Sequence, residues 1–131
     1  MSKLVSFLKF IFHTSVILLI VLSLFPGSLL GFLLYGDIYQ QPSLIDNTFG
    51  TSINHFICYF FLSLLGLFLF SKSENFLKLT FALIMLSIIL EFLQFIVPNR
   101  AFELYDLIGN FLGVIVAYLL VKIYLLIKNH E

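Results

Sequence analysis

The sequence predicts an all-α, polytopic membrane protein built as a bundle of four transmembrane helices, and two observations lead to that prediction. Of the 131 residues, 61% are hydrophobic and 11% are charged, and the mean hydropathy is +1.11, whereas a soluble domain carries about 25% charged residues. The charged residues also divide the chain into four apolar stretches, and four membrane-crossing helices of about 20 residues use about 80 residues. We therefore expect residues 1–131 to form a single transmembrane domain.

The first apolar stretch predicts a helix at about 10–25, or at 10–35 if it continues through Pro26 and Gly27. Because this pair breaks or kinks a helix, residues 28–35 form either a second half-helix or an apolar segment at the membrane interface. The stretch is too long for the core of a signal peptide and lacks its small-residue cleavage pattern, so we expect it to be retained.

The remaining three helices are predicted at 53–71, 78–97 and 104–127. A polar, glycine-containing segment at 46–53 is expected to form a loop before the second helix. Glu91 alone interrupts the third stretch, and Asp106 and Lys122 lie near the two ends of the fourth.

Charge distribution predicts the orientation of the bundle. With four spans, six of the seven cations fall on one side, namely Lys3, Lys9, Lys72, Lys78, Lys122 and Lys128. The positive-inside rule then places both termini in the cytoplasm. The loops at about 36–52 and 98–103, with Asp37, Asp46, Arg100 and Glu103, face outward. Seven basic residues balance seven acidic ones, so no nucleic-acid partner is expected.

Polar and small residues recur at helical spacing on three of the predicted helices, and such residues on membrane helices face the other helices of a bundle. The three stripes are His55, Tyr59, Ser63 and Gly66; Thr80, Ser87, Glu91 and Gln94; and Asp106, Asn110, Gly113 and Ala117. The Gly109-x-x-x-Gly113-x-x-x-Ala117 series also predicts close helix approach within the bundle.

Chain direction places the polar ends of these stripes at one depth, near the outer end of the bundle. Ionisable side chains in membrane helices are candidates for function, and the candidate ligand-binding set is His55, Tyr59, Glu91, Gln94, Arg100, Asp106 and Asn110. Candidates for catalysis are His55, Glu91 and Asp106. Side chains within about 4–6 Å of one another, the range over which charges shift one another's pKa, would form one site, and wide separation would not. Since the sequence has no nucleotide-binding loop, zinc-protease or serine-hydrolase motif, we expect no metal and no cofactor.

Each candidate also has a structural interpretation. Glu91 could be protonated, or paired with Arg100, and hold the helices together. Asp106 lies in the first turn of its helix, where a carboxylate stabilises free backbone N–H groups. Asn110 can bridge two helices. Arg100 can bind a phosphate bidentately, or it can form a salt bridge within its loop.

The same residues resemble a family signature. The signature of the VanZ-like membrane proteins is similar to the string Glu91-x-x-Gln94-x-x-x-Pro98-x-Arg100 followed by Asp106-x-x-x-Asn110-x-x-Gly113. The start of a family helix also resembles His55-Phe56-x-x-Tyr59. The resemblance covers about residues 53–118. Ser23-Leu24-Phe25-Pro26 also resembles the end of the first family helix, which favours a helix end near Phe25.

This resemblance implies a bacterial cell membrane location and a role in the cell envelope, linked to teicoplanin or other glycopeptide resistance. One departure is that Thr51 and Ser52 stand where the family commonly has an Asp-Lys pair. If that pair adds charge to the outer site, this chain lacks it.

Three functions follow as hypotheses. The first is an accessory envelope protein whose outer pocket binds an anionic lipid headgroup or a lipid-linked cell-wall precursor, with membrane lipids and other envelope proteins as partners. The second is an intramembrane hydrolase or phosphoryl transferase on a lipid-linked substrate, with His55 as base or metal ligand and Glu91 or Asp106 as its partner. The third is a small transporter.

Overall fold

The computed structural model describes residues 3–43, 52–71 and 75–128. Five α-helices occur in this part of the chain: α1 (Lys3–Leu24), α2 (Leu29–Tyr35), α3 (Ser52–Leu69), α4 (Asn75–Leu93) and α5 (Leu104–Lys128). A 3-10 turn at Gln94–Ile96 extends α4. No strand occurs in these described ranges, and all helices except α2 are long and apolar enough to cross a membrane. The predicted all-α fold with four membrane-crossing helices is confirmed.

The first helix is longer at its start than the sequence predicted. It begins at Lys3 rather than near residue 10, and Lys9 lies within it instead of before it. The ammonium group of Lys9 lies 5.1 Å from the centre of the Phe70 ring. A lysine can lay its aliphatic stem along an apolar surface in this way and keep its charge at the edge, so Lys9 does not end the helix.

The first helix ends at Leu24, and a separate short helix, α2, begins at Leu29. This separation decides whether residues 28–35 form a half-helix or a non-helical apolar segment. Gly27 has φ +79°, a left-handed conformation that glycine adopts without strain. Ser28 then caps α2, because its side-chain oxygen accepts a hydrogen bond of 2.9 Å from the Gly31 N–H. The half-helix interpretation is correct, and a helix extending over 10–35 is not formed.

The other helix boundaries also differ from the predictions. Helix α3 begins at Ser52 and ends at Leu69, so Ser52 and Ile53 belong to a helix rather than to the predicted loop; residues 46–51 of that loop lie outside the described residues. Helix α4 begins at Asn75 and gives way to the 3-10 turn after Leu93. Val97 is extended (φ −85°, ψ 126°), as expected for the residue before a proline.

Helix α3 lies at the centre of the packing and contacts α1, α4 and α5, while α4 also contacts α1 and α5. The closest approach is between α3 and α5. A Cβ atom on Gly113 would lie 2.6 Å from the Phe56 carbonyl oxygen, and one on Gly109 would lie 2.6 Å from the Ser52 carbonyl oxygen. The glycine series therefore brings two backbones together inside the bundle, as the sequence predicts.

The predicted polar stripes form the interior. All of their members are buried except His55, which is half-buried. Apolar side chains complete the interior in two clusters: Phe12, Tyr59, Leu62, Leu83 and Val114, and, farther along α5, Leu67, Ala117 and Val121. Large apolar side chains cover the outer surfaces of the long helices, as in a protein whose solvent is lipid.

Charge is sorted between the two ends of the bundle. We call the polar end the one formed by the end of α1, the start of α3, the end of α4 and the start of α5, with Ser52, His55, Glu91, Gln94, Arg100, Asp106 and Asn110. The described lysines belong to the opposite half, at the start of α1, near the start of α4 and in the last turns of α5. Lys72 lies outside the described residues.

Candidate functional site

A hydrogen-bonded network joins the first turns of α3 and α5 at the polar end. Nε2 of His55 lies 3.3 Å from Oδ2 of Asp106, and Nδ1 of His55 lies 3.2 Å from Oδ1 of Asn110. The hydroxyl of Ser52 donates a hydrogen bond of 2.6 Å to the other carboxylate oxygen of Asp106. His55, Asp106 and Asn110 are therefore brought into direct contact.

The His55 ring links two helices through both of its nitrogens. Nε2 faces the Asp106 carboxylate on α5, and Nδ1 faces the Asn110 side chain one turn farther along the same helix. The ring is therefore held against α5 at two points.

Glu91 lies beside this network on α4 and is 1% exposed. Its Oε1 accepts a hydrogen bond of 3.1 Å from the backbone N–H of Glu103, which precedes α5. His55 and Asp106 are both near enough to Glu91 to interact with it electrostatically. Glu91 therefore belongs to the same polar end, and its described hydrogen bond fastens the loop before α5 to the end of α4.

Arg100 does not pair with Glu91 through the hydrogen bonds that the structure describes. Its Nη2 donates to the Leu22 carbonyl oxygen at 2.8 Å, and its Nε donates to the Phe25 carbonyl oxygen at 3.3 Å. The last carbonyls of a helix lack partners within the helix and attract cations. Arg100 therefore binds the end of α1, a role that its loop position does not reveal.

Burial lowers the pKa of the Arg100 guanidinium, and the neighbouring carboxyl groups of Glu91, Asp106 and Glu103 raise it. An arginine stays protonated under any ordinary condition. Its positive charge is therefore a permanent feature of the polar end.

Gln94 and Tyr59, the two remaining members of the candidate set, are both buried. Gln94 is 4% exposed and lies in the 3-10 turn after α4. Tyr59 is 2% exposed, and its hydroxyl, like that of Ser63 one turn deeper, has no hydrogen-bond partner among the described residues. A buried hydroxyl without a partner is uncommon, and Tyr59 lines the cavity described next.

Two cavities meet at the polar end. The first, of about 130 Å³, lies between α1, α2 and α3 and has a polar side formed by Gln41, Asn54, His55, Gln94 and Arg100 and an apolar side that includes Leu19, Leu22, Leu29 and Leu30. The second, of about 260 Å³, is lined by Gln41, Gln94, Asn99, Arg100, Ala101, Glu103 and Asp106. Gln41, Gln94 and Arg100 line both cavities, so these three residues stand at the boundary between them.

In the part of the chain that the structure describes, no group of three or more His, Cys, Asp or Glu side chains is arranged to hold a metal ion.

Several residues of the polar end were absent from the predicted set. Ser52 contacts Asp106, Gln41 lines both cavities, and Asn54 donates a hydrogen bond of 2.7 Å to the Pro42 carbonyl oxygen. Ser52 was assigned to a loop, although its spacing of three residues before His55 is that of one helical turn. Gln41 carries no helical pattern, so no periodic signal could have identified it.

Comparisons with known proteins bear on this arrangement. No curated protein and no solved structure matches the chain. The family model described as VanZ/LLP1 matches residues 7–126, which include nearly all of the four long helices and every residue of the candidate set. The chain therefore belongs to the VanZ/LLP1 family.

Proposed function

We propose that this protein binds the anionic headgroup of a membrane lipid or of a lipid-linked cell-wall precursor at its polar end, in an accessory role in the bacterial cell envelope. The observation that carries the proposal is the cavity of about 130 Å³ between α1, α2 and α3, which joins a polar wall containing Arg100 to an apolar wall of leucines. A lipid headgroup attached to its hydrocarbon portion has the same division of polarity.

The guanidinium of Arg100 supports an anionic ligand. Its two described hydrogen bonds use two of its five N–H groups. The same side chain lines both polar cavities, where the remaining groups suit a phosphate oxygen. Burial in this setting strengthens a charge-assisted contact relative to one in water.

Charge sorting supports the orientation that goes with this function. The described lysines lie in the half of the bundle away from the polar end, and basic residues favour the cytoplasmic side. We propose that both termini are cytoplasmic and that the polar end faces the outside of the cytoplasmic membrane, where cell-wall precursors are used.

Binding has more support than catalysis. A general base must be placed to accept a proton from a substrate, whereas both nitrogens of His55 already contact side chains of the protein itself, Asp106 and Asn110. One carboxyl oxygen of Glu91 likewise accepts the Glu103 backbone N–H. These contacts support a role of the network in holding α3, α4 and α5 together beside the cavity.

Lipid copurification with charge variants tests the proposal. The variants are Arg100→Lys, which keeps the charge, and Arg100→Gln, which removes it, with Lys122→Gln at the opposite half as the matched loss of one cation. We expect Arg100→Gln to lose anionic lipid by about tenfold, the effect of one charge-assisted hydrogen bond. Arg100→Lys and Lys122→Gln should retain it. Equal lipid content in all four proteins, at equal folded yield, would contradict the proposal.

The envelope role has its own test. Bacteria carrying the wild-type protein, the Arg100→Gln variant or neither are compared for teicoplanin susceptibility. We expect the wild type to lower susceptibility and the variant to lose that effect at the same protein level. Identical susceptibility in all three strains would remove the resistance role and leave lipid binding to be judged by the copurification.

A further inference from the structure

A third cavity, of about 280 Å³, continues along the outer surface of the bundle. Every residue that lines it belongs to α1 or α3, and apolar side chains such as Leu18, Phe61 and Leu65 form most of its wall. We call this space the α1–α3 groove. It lies where two membrane-crossing helices meet, so its open side faces lipid.

The groove is continuous with the headgroup cavity. Leu19, Leu22 and Cys58 line both the groove and the cavity of about 130 Å³. Arg100 reaches the same place from the other side, since it donates a hydrogen bond to the Leu22 carbonyl oxygen. A permanent positive charge therefore marks one end of a narrow apolar path.

We infer that the ligand is an anionic, phosphate-bearing lipid whose hydrocarbon chain lies in the α1–α3 groove while its headgroup occupies the polar end. This inference rests on the proposed headgroup binding and adds where the chain of the same molecule is held. The order of polar cavity, shared leucines and apolar groove matches the order of headgroup, linkage and chain.

Two kinds of lipid share this chemistry: a diacyl phospholipid with an anionic headgroup and a polyprenyl phosphate. Both carry a phosphate that suits the Arg100 guanidinium and a long chain that suits the leucine-lined groove. The two lipids differ in their hydrocarbon chains, so competition between them shows which of the two is the ligand.

The absence of tryptophan from the chain allows a test by fluorescence quenching. Phe61 lines the groove and Phe81 on α4 does not, yet their exposed fractions are close, 61% and 65%. Single-tryptophan variants Phe61→Trp and Phe81→Trp are placed in phosphatidylcholine vesicles containing a small fraction of phosphatidylglycerol with brominated chains, which quench a neighbouring indole. Brominated phosphatidylcholine at the same fraction measures the quenching by bulk lipid.

We expect the Phe61→Trp fluorescence to reach half-quenching at an about tenfold lower fraction of brominated phosphatidylglycerol than of brominated phosphatidylcholine. Phosphatidylglycerol brings a net negative charge to Arg100, whereas the choline cation of phosphatidylcholine cancels the charge of its phosphate. Adding Arg100→Gln should remove the preference. Phe81→Trp should show none. Unbrominated polyprenyl phosphate and unbrominated phosphatidylglycerol are then added separately as competitors that relieve the quenching. If polyprenyl phosphate acts at the lower fraction, the isoprenoid chain is the preferred one. If phosphatidylglycerol does, the acyl chain is preferred.

Equal quenching of Phe61→Trp by both brominated lipids would overturn the placement of the chain. If Arg100 still governed lipid copurification in that case, headgroup binding would stand and only the groove would be excluded. Should Phe61→Trp fail to fold, Leu18→Trp on the groove wall replaces it, with Ile17→Trp as its control; Ile17 is also exposed on α1 but does not line the groove.

Discussion

Nε2 of His55 lies 3.3 Å from Oδ2 of Asp106, and this contact ties the first turn of α3 to the first turn of α5. The two residues are separated by 51 positions, yet the glycines of α5 bring the helix backbones close enough for them to meet. Ser52 and Asn110 bind the remaining polar atoms of the pair. The network thus combines polar side chains with the tightest helix packing in the described bundle.

We expect His55 and Asp106 to be energetically coupled. The free energy of unfolding in mixed micelles is measured for His55→Ala, Asp106→Ala and the double variant. The coupling should be about 1–3 kcal/mol, because truncating either residue removes the 3.3 Å contact that the other makes in a largely buried place. Lys122→Ala combined with His55→Ala should be additive. Additivity of the His55 and Asp106 truncations would contradict a direct contact.

Gly113 is expected to tolerate no side chain. A Cβ there would lie 2.6 Å from the Phe56 carbonyl oxygen and 2.9 Å from the Phe60 nitrogen, so Gly113→Ala must push α3 and α5 apart. We expect destabilisation of about 1–3 kcal/mol, seen as a lower midpoint of thermal unfolding in detergent. Leu112→Ile, on the exposed side of the same helix, is the control. Equal midpoints for Gly113→Ala and the wild type would refute the close approach.

Arg100 should protect the end of α1. Without its hydrogen bonds to the Leu22 and Phe25 carbonyl oxygens, the break between α1 and α2 loses its link to the loop before α5. For Arg100→Ala we expect faster amide hydrogen exchange in peptides covering residues 22–35 than in the wild type. Peptides from the second half of α5 should exchange unchanged. Faster exchange throughout the protein would instead indicate global destabilisation.

Two substitutions of Glu91 distinguish a role as hydrogen-bond acceptor from a role in proton transfer. Glu91→Gln keeps a side-chain oxygen that can accept the Glu103 N–H, whereas Glu91→Leu leaves that N–H without its partner. We expect Glu91→Gln to remain within about 1 kcal/mol of the wild type in unfolding free energy, and Glu91→Leu to lose about 1–3 kcal/mol. Lipid copurification should follow the same order. A Glu91→Gln variant that is stable but inactive in the susceptibility assay would point to proton chemistry at this carboxyl group.

Much of the fold was predictable because hydropathy and helical spacing are local properties of a sequence. The stripes that include Ser87, Asn110 and Gly113 were assigned to the interior from their spacing alone, and all three are buried. The start of α1 was not predictable by counting charges, because Lys9 keeps its ammonium group at the edge of the bundle over Phe70.

The candidate site was only partly predictable, for a different reason. The meeting of His55 with Asp106 follows from chain direction and depth. The partners of Arg100 are backbone carbonyl oxygens 78 and 75 residues away in sequence. Every residue has a backbone carbonyl group, so residue type does not identify these acceptors. Gln41, in an irregular segment, likewise reaches the cavities through the fold and not through any pattern.

Binding of a lipid phosphate by Arg100 is measurable as a short distance between the guanidinium nitrogen and the phosphorus nuclei. Arg100 is the sole arginine of the chain, so ¹⁵N-arginine labels this guanidinium alone. In proteoliposomes containing phosphatidylglycerol, solid-state NMR should detect ¹⁵N–³¹P dipolar dephasing at a separation of about 4 Å, which an N–H···O contact of about 2.8 Å to a phosphate oxygen requires. The reference is the Lys122 ammonium, labelled in a separate sample with the other lysines replaced. Dephasing of Arg100 no stronger than that of Lys122 would show that Arg100 does not hold a lipid phosphate.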